Sequence, residues 1–288
     1  MKTSIIILNY NDLETTKEMI DQIKNYKVIN HIIIVDNCST DNSYKELKKE
    51  EKNNIEIIKT DNNKGYAYGN NYGIKYAIDK YKVDNIIISN PDIIVTENNI
   101  KELLNQLKYN NVALIAPVIN EHGILSKGWK LPTFKDDLLS NINHFHKYAF
   151  KKMEYPEKHY KEKISEVEVV KGCFFAIKAS VIKDVDYFDE GTFLYYEENI
   201  LGRKLKNKGY KSYIHNKVEV THNLSISVNK SFNSLKKYKI LKQSQRYYEK
   251  KYNNCNIFRM FLLYITYCFS YFIAFIICLF RGGKQWKI

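Results

Sequence analysis

Four apolar runs of strand length, each leading into a stretch of helix length, fill the first 107 residues of the chain. Ser4 to Leu8 precedes Leu13 to Ile23, and "HIIIVD", ending at Asp36, precedes "STDNSYKELKKE". Ile55 to Lys59 precedes Gly65 to Ile78, and Ile86 to Ser89 precedes Asn98 to Leu107. The last run, and the others like it, are continuously apolar rather than alternating, which suits strands covered on both faces. This order predicts an α/β chain with a mostly parallel central sheet and helices on both faces. In such sheets ligands bind at the carboxyl edge of the strands. The run "IIISNPDI" stops at Pro91, which has no amide donor for a ladder, so Asp92 is expected just past a strand end. Asp36 and Asn37 are expected at the same edge, and Ser39 or Thr40 reads as the cap of the following helix. Asn, Pro and Asp also make ordinary strand-ending turns, so these residues alone leave both readings open.

Charge is placed unevenly. Of the net +13, most lies between Arg203 and Lys251, where fourteen Lys and Arg face only Glu219 and Glu249. The first 202 residues are slightly acidic, which argues against a surface that coats nucleic acid. Met260 to Phe280 is a 21-residue run without a formal charge. As a helix it would be about 31 Å long, close to the thickness of bilayer hydrocarbon. A helix buried in the fold, a dimer interface, and a helix lying in the membrane plane are the alternatives. The five cysteines form neither a CxxC pair nor a ligand cluster, so a reduced, cytosolic chain without structural zinc is expected. The opening residues are too short an apolar stretch for a signal peptide.

No GxGxxG follows the first run, so a nicotinamide or flavin fingerprint is not supported. Gly65, Gly69 and Gly73 recur four apart in "NKGYAYGNNYGIKYAI", fitting either a helix pressed on a sheet or, with Lys64, a site near a diphosphate. Residues 120 to 165 read as a looser excursion, either an insertion facing an acceptor or a variable surface segment. Beyond it, "VEVVKGCFFAIKASVI" restores strand character, and "FDEGTFLYYEENILGRKLKNKGY" reads as a turn and then a helix ending near Gly209. Glu197 and Glu198 open that helix, where the dipole favours carboxylates. "KSYIHNKVEVTHNLS" reads as a short strand pair ending at His222, itself compatible with an ordinary core or surface histidine.

Six segments in order, "IIILNYND", "VDNCSTDNS", "NKGYAYGNNYGI", "ISNPDI", "KGCFFAIK" and "FDEGTFLYYEENILGRKLKNKGY", resemble those of family 2 glycosyltransferases, especially the rhamnosyltransferase-like branch. The resemblance spans about residues 3 to 225 and implies a GT-A nucleotide-diphospho-sugar transferase fold. It implies that Asp36 contacts the nucleobase and that Asn9, Tyr10, Lys64, Gly65, Asn71, Asn90 and Gly172 surround the donor. It further implies that Asp92 and His222 hold a divalent metal, Mn²⁺ or Mg²⁺, that Glu198 is the catalytic base, and that Glu197 supports it. The implied partners are a nucleotide-sugar donor, a glycan or lipid-linked glycan acceptor, and membrane lipids, with no nucleic acid. Residues 1–225 would form the catalytic domain, 226–256 a basic helical juxtamembrane segment, and 257–288 a membrane-associating helix and short basic tail on the cytoplasmic face. The chain departs from the family at two places. Glu198 stands where Asp is usual, and Ile200 where an acid is common, so an inactive nucleotide-sugar-binding or scaffold subunit is the alternative reading.

Overall fold

The computed structural model describes residues 1–142, 146–223 and 234–280. In chain order, β1 (Thr3–Asn9), α1 (Leu13–Ile23), β2 (His31–Asp36), α2 (Ser43–Leu47), β3 (Ile55–Lys59), α3 (Tyr66–Tyr81) and β4 (Asn85–Ser89) make the alternating half. There follow β5 (Ile93–Ile94), α4 (Glu97–Leu107), β6 (Leu114–Glu121), β7 (Ile124–Ser126), α5 (Phe134–Ser140), α6 (His146–Met153) and β8 (Ile164–Val167). The chain continues through β9 (Phe174–Lys178), α7 (Ala179–Asp184), α8 (Glu197–Asn207) and β10 (Ser212–His222), and two helices, Ser234–Lys251 and Ile257–Phe280, close it.

The strands join in one sheet in the order β3-β2-β1-β4-β9-β6-β10-β5, with β7 added to β6 and β8 to β10. β3, β2, β1 and β4 run parallel, and β9 is antiparallel to both β4 and β6. Alternate residues of each strand point to opposite faces, and here both faces are apolar. Ile5, Ile7, Ile32 and Ile34 pack on one side with Met19 and Ile20 of α1 and Leu103 of α4. Ile6, Ile33, Ile86 and Ile88 pack on the other with Ala67 and Ile74 of α3 and Leu201 of α8. Each fully buried isoleucine contributes about 1.5–3 kcal/mol, which explains why these runs show no polar alternation.

The structure departs from sequence expectation in four places. Helix α2 begins at Ser43, not after Ser39 or Thr40. The Ser39 hydroxyl is occupied instead, accepting from the Asn11 amide (3.0 Å) and the Asn9 side chain (3.1 Å), and so is not free to cap a helix. The expected pair of strands around His215 is one strand, β10, because both of its parts run parallel to β6 across a register break between His215 and Glu219. The stretch 120–165 holds β7, α5 and α6 rather than a bare excursion. Finally, the Ser234–Lys251 helix, read in sequence as a basic helical segment, also packs into the fold: Lys242, Gln245, Tyr248 and Glu249 are buried. The proposed domain boundary at 225 and the basic tail at 281–288 fall outside the described residues.

Gly73 lets α3 lie against the sheet. A Cβ there would come 2.6 Å from Ile6 Cγ2 and 2.7 Å from Val35 Cγ2, atoms on stiff β-branched side chains. Gly73→Val should therefore destabilise the fold by about 1–3 kcal/mol through overpacking, measured as a lowered urea midpoint with an unchanged slope. An unaltered midpoint would mean that α3 shifts freely on the sheet.

Candidate active site

The carboxyl ends of β1, β2 and β4, the first turns of α3 and α8, and the end of β10 converge on a cleft of about 330 Å³. Tyr10, Gly65, Asn90, Asp92, Gly172, Glu197, Glu198 and His222 all line it. Aromatic side chains of Tyr66, Phe193 and Tyr195 complete its walls. Asn90 is fixed by its amide, which donates to Cys173 O at 2.8 Å, and Gly172 O accepts from Tyr66 Oη at 2.8 Å.

Four residues expected around the donor do not line this cleft. Asp36 is fully buried, with Oδ2 accepting from Asn9 Nδ2 (2.9 Å) and Oδ1 from the Ser39 amide (3.0 Å). Asn9 is spent on that bond and on accepting from Thr16 Oγ1 (3.0 Å). Asn71 holds the segment before α8, donating to Phe188 O (2.9 Å) and Glu190 Oε1 (2.8 Å) and accepting from the Phe188 amide (3.0 Å). Lys64 is exposed, its ammonium 4.9 Å over the Tyr68 ring. Buried polar groups need partners, and Asp36, Asn9 and Asn71 find theirs in the scaffold. Asn37, next to Asp36, is the residue at that strand end that reaches the cleft.

Asp92 is only 5% exposed, and neither carboxylate oxygen makes a hydrogen bond of good geometry. Its Oδ2 lies 3.2 Å from His222 Nε2. On the far side of the ring, His222 Nδ1 is 2.6 Å from Glu121 Oε1, and the other Glu121 oxygen pairs with the Lys171 ammonium. The ring thus lies between two carboxylates; with Nδ1–H held on Glu121, loss of the proton on Nε2 would leave its lone pair on the Asp92 side, the way metal-binding histidines are commonly oriented. Burial opposes a charge on His222, but the close approach of Asp92, Cys173 and Glu121 outweighs it and pushes the imidazole up to about 11. For Glu121 burial is likewise outweighed, by His222 and Lys171, and the carboxyl falls to about 2. An unpartnered buried carboxylate facing an imidazole nitrogen is a donor pair that a hard divalent cation could use. Among the described residues no group of three or more His, Cys, Asp or Glu is placed to hold a metal, so further oxygens would have to come from a ligand or water. Sequence reasoning missed Glu121 and Lys171, which look like turn and strand-edge residues until the fold brings them beside His222.

Glu197 and Glu198 enter from a strained turn. Tyr195 and Tyr196 have φ of +74° and +71°, a region that costs non-glycine residues about 1–3 kcal/mol each. The turn is held from several sides: the Tyr66 amide donates to Phe193 O (2.9 Å), Tyr196 Oη to Asp137 Oδ1 (2.6 Å), and Ser244 Oγ to Leu194 O (2.8 Å). Gly65 is required here, because it has φ +106° and a Cβ would lie 2.1 Å from Phe193 O. Burial, with the neighbouring Glu198 charge second, pushes the Glu197 carboxyl up to about 8. Burial also raises Glu198. Two carboxyls in one cleft with elevated proton affinity are equipped for proton transfer. Ile200, one turn into α8, is fully buried and does not line the cleft.

Comparison with known proteins agrees with this architecture. The family model described as glycosyl transferase family 2 matches residues 4–185. A low-salt glycan biosynthesis hexosyltransferase of Haloferax volcanii, Agl10, is 28% identical over 197 residues, 68% of this chain and 58% of the relative. Among solved structures, a Pyrobaculum calidifontis mannosyltransferase in complex with GDP-Man and Mn²⁺ superposes with TM-score 0.59 at 13% identity, over 84% of this chain and 62% of that one. GalNAc-T7 with UDP, GalNAc and Mn²⁺ gives TM-score 0.64 at 14% identity, over 86% of this chain and 48% of the other. At these identities the structural matches show the shared GT-A fold, and the chain spans less than two thirds of each relative's length. With the family model covering well over half of it, the chain belongs to glycosyl transferase family 2.

Proposed function

We propose that the protein is an inverting, metal-dependent glycosyltransferase that moves a sugar from a nucleotide-diphosphate donor to a hydroxyl of a growing, lipid-linked cell-surface glycan. The observation that carries this reading is one cleft at the carboxyl edge of the sheet that joins the Asp92–His222 donor pair to the Glu197–Glu198 carboxyl pair. Relatives with the same fold support it: two are described with Mn²⁺ and a nucleotide or nucleotide sugar, and the curated relative is a glycan biosynthesis hexosyltransferase.

Asp92 and His222 would hold the divalent cation, which when bound supplies positive charge to neutralise a departing diphosphate. Glu121 and Lys171 hold the His222 ring in place from behind. The acceptor hydroxyl attacks the anomeric carbon as the bond from that carbon to the diphosphate oxygen breaks, and its proton passes to the Glu198 carboxylate. A single displacement inverts the anomeric centre. Glu197, buried with Oε1 unpartnered, raises the proton affinity of the pair. Aromatic walls at Tyr10, Tyr66 and Tyr195 offer stacking surfaces to a base or sugar. Attachment to the cytoplasmic face of a membrane rests on the Ile257–Phe280 helix, of which Ile257–Ile276 is long and apolar enough to span one.

Asp92→Ala and His222→Ala should each abolish Mn²⁺-dependent binding of a nucleoside diphosphate in calorimetric titration while leaving thermal unfolding cooperative. Wild-type affinity in both would remove the metal assignment. Glu198→Gln should keep donor affinity but lower turnover by a factor on the order of 10² to 10⁴, since the amide cannot take the acceptor proton. If donor is neither transferred nor hydrolysed by the parent protein under any metal, the inactive binding subunit replaces this reading.

The Glu197 carboxyl has a pH signature. Its folded pKa, about 8, lies above the ordinary 4.5. Stability from the protonated form is therefore complete below about 4.5 and is lost as pH rises toward 8. Glu197→Gln stays neutral throughout, so the variant should gain on the parent between pH 5 and about 9 in urea unfolding. A gap that does not change with pH would show an ordinary carboxyl.

A further inference from the structure

The Ile257–Phe280 helix is two-sided in a way that its composition hides. Leu263, Ser270 and Ala274 are buried, and Thr266 and Tyr267 share their face. That face is joined to the protein body along its length. Arg259 lies over the Phe134 ring at 5.5 Å, Asn141 Nδ2 donates to Thr266 Oγ1 at 3.1 Å, and the Arg246 guanidinium sits 4.6 Å from the Tyr267 ring. Tyr238 Oη and Ser270 Oγ share a hydrogen bond of 2.5 Å. The opposite face is exposed and apolar: Phe258, Phe261, Ile265, Phe269, Phe272 and Phe275. Their spacing of three and four residues places them in one stripe. Tyr264 and Tyr271 fall on one flank between the two faces, beside Tyr267 at the edge of the packed face.

Resting on the reading of a membrane-attached enzyme, we infer that this helix lies in the plane of an anionic lipid surface, its phenylalanine stripe immersed and its packed face on the catalytic body, and does not cross the bilayer. The contacts from Arg259 to Ala274 cover about 22 Å of helix axis, most of a hydrocarbon thickness. Crossing would strip them all, and would either carry Arg246 and the basic Ser234–Lys251 helix into hydrocarbon or expose the packed Ser270 and Thr266 hydroxyls to lipid. Lying flat keeps every contact. The tyrosine flank then sits at the depth where aromatic hydroxyls meet headgroups. An anionic surface is favoured because no acid follows Glu249, while Lys250, Lys251 and Arg259 are exposed around the start of the helix. A face of this kind, with bulky apolar groups beside Lys and Arg, is how helices bind in the interface plane.

The test uses full-length protein and phosphatidylcholine vesicles with and without phosphatidylglycerol. Tryptophans introduced as Phe261→Trp and Phe272→Trp report depth by quenching from lipids brominated at different chain positions, with the parent signal subtracted. Equal, shallow depths are expected, with flotation enhanced at least tenfold by phosphatidylglycerol. A spanning helix would separate the two positions by about 16 Å in depth, and that result overturns the in-plane placement while leaving membrane attachment intact. The pair Phe269→Glu and Phe272→Glu, both solvent-exposed, should abolish flotation without lowering the melting temperature or nucleotide binding. Protein that never floats, and that dimerises in solution with both tryptophans already shielded, assigns the stripe to a second copy and overturns the membrane reading itself.

Discussion

The approach of one backbone to another at Gly65 and Phe193 holds the cleft together. Gly65 closes the loop from β3 to α3, and Phe193 opens the turn that delivers Glu197 and Glu198, so two segments 128 positions apart meet carbonyl to Cα. No side chain fits between them. The strained pair Tyr195 and Tyr196 is tolerable because this contact and the hydrogen bonds around it over-determine the turn, as strained backbone at functional sites generally requires. The direction in which the two carboxyls enter the cleft follows from that turn.

Electrostatics divides the cleft into two ends. At one, Asp92, His222, Glu121 and Lys171 follow one another in contact, from a buried carboxylate to a half-buried ammonium. At the other, among the described residues no ion pair reaches Glu197 or Glu198, and burial, against a smaller opposing effect of Lys171 on Glu198, raises their proton affinity. A donor with a charged diphosphate and an acceptor that must lose a proton ask for these opposite environments a short distance apart. Had Asp92 and the Glu197–Glu198 pair been solvated alike, their environments would not be distinguished.

The Ser234–Lys251 helix belongs to the same arrangement. Asp189 accepts from Tyr247, Lys251 and Tyr252, Arg203 of α8 donates to Tyr248, and Gln245 reaches Asp137 O and Ser140. Burial raises Asp137 and Glu249 and lowers Lys242 to about 8, so the interior disfavours the charged form of each of these three groups. The helix that braces the catalytic turn also supports the apolar helix after it, and the two roles share one packed hairpin.

The alternating half of the fold was legible from residues alone, because a parallel sheet covered on both faces must be built from unbroken apolar runs, and Ile5–Ile7, Ile32–Ile34 and Ile86–Ile88 could hardly serve elsewhere. Ordered local segments likewise pointed to the family, and to Asp92, Glu197, Glu198 and His222 as residues of one site. Sequence could not show that Asp36 and Asn37 at the end of β2 are both buried and hydrogen-bonded, because their partners Asn9, Ser39, Thr60 and Asn63 come from neighbouring segments. It could not find Glu121, which reaches His222 across 101 positions only because β6 and β10 lie side by side. Nor could composition separate a basic membrane-facing helix from a buried brace: Lys242 and Glu249 carry the same formal charge in either place, and only the packing of distant segments decided what that charge meets.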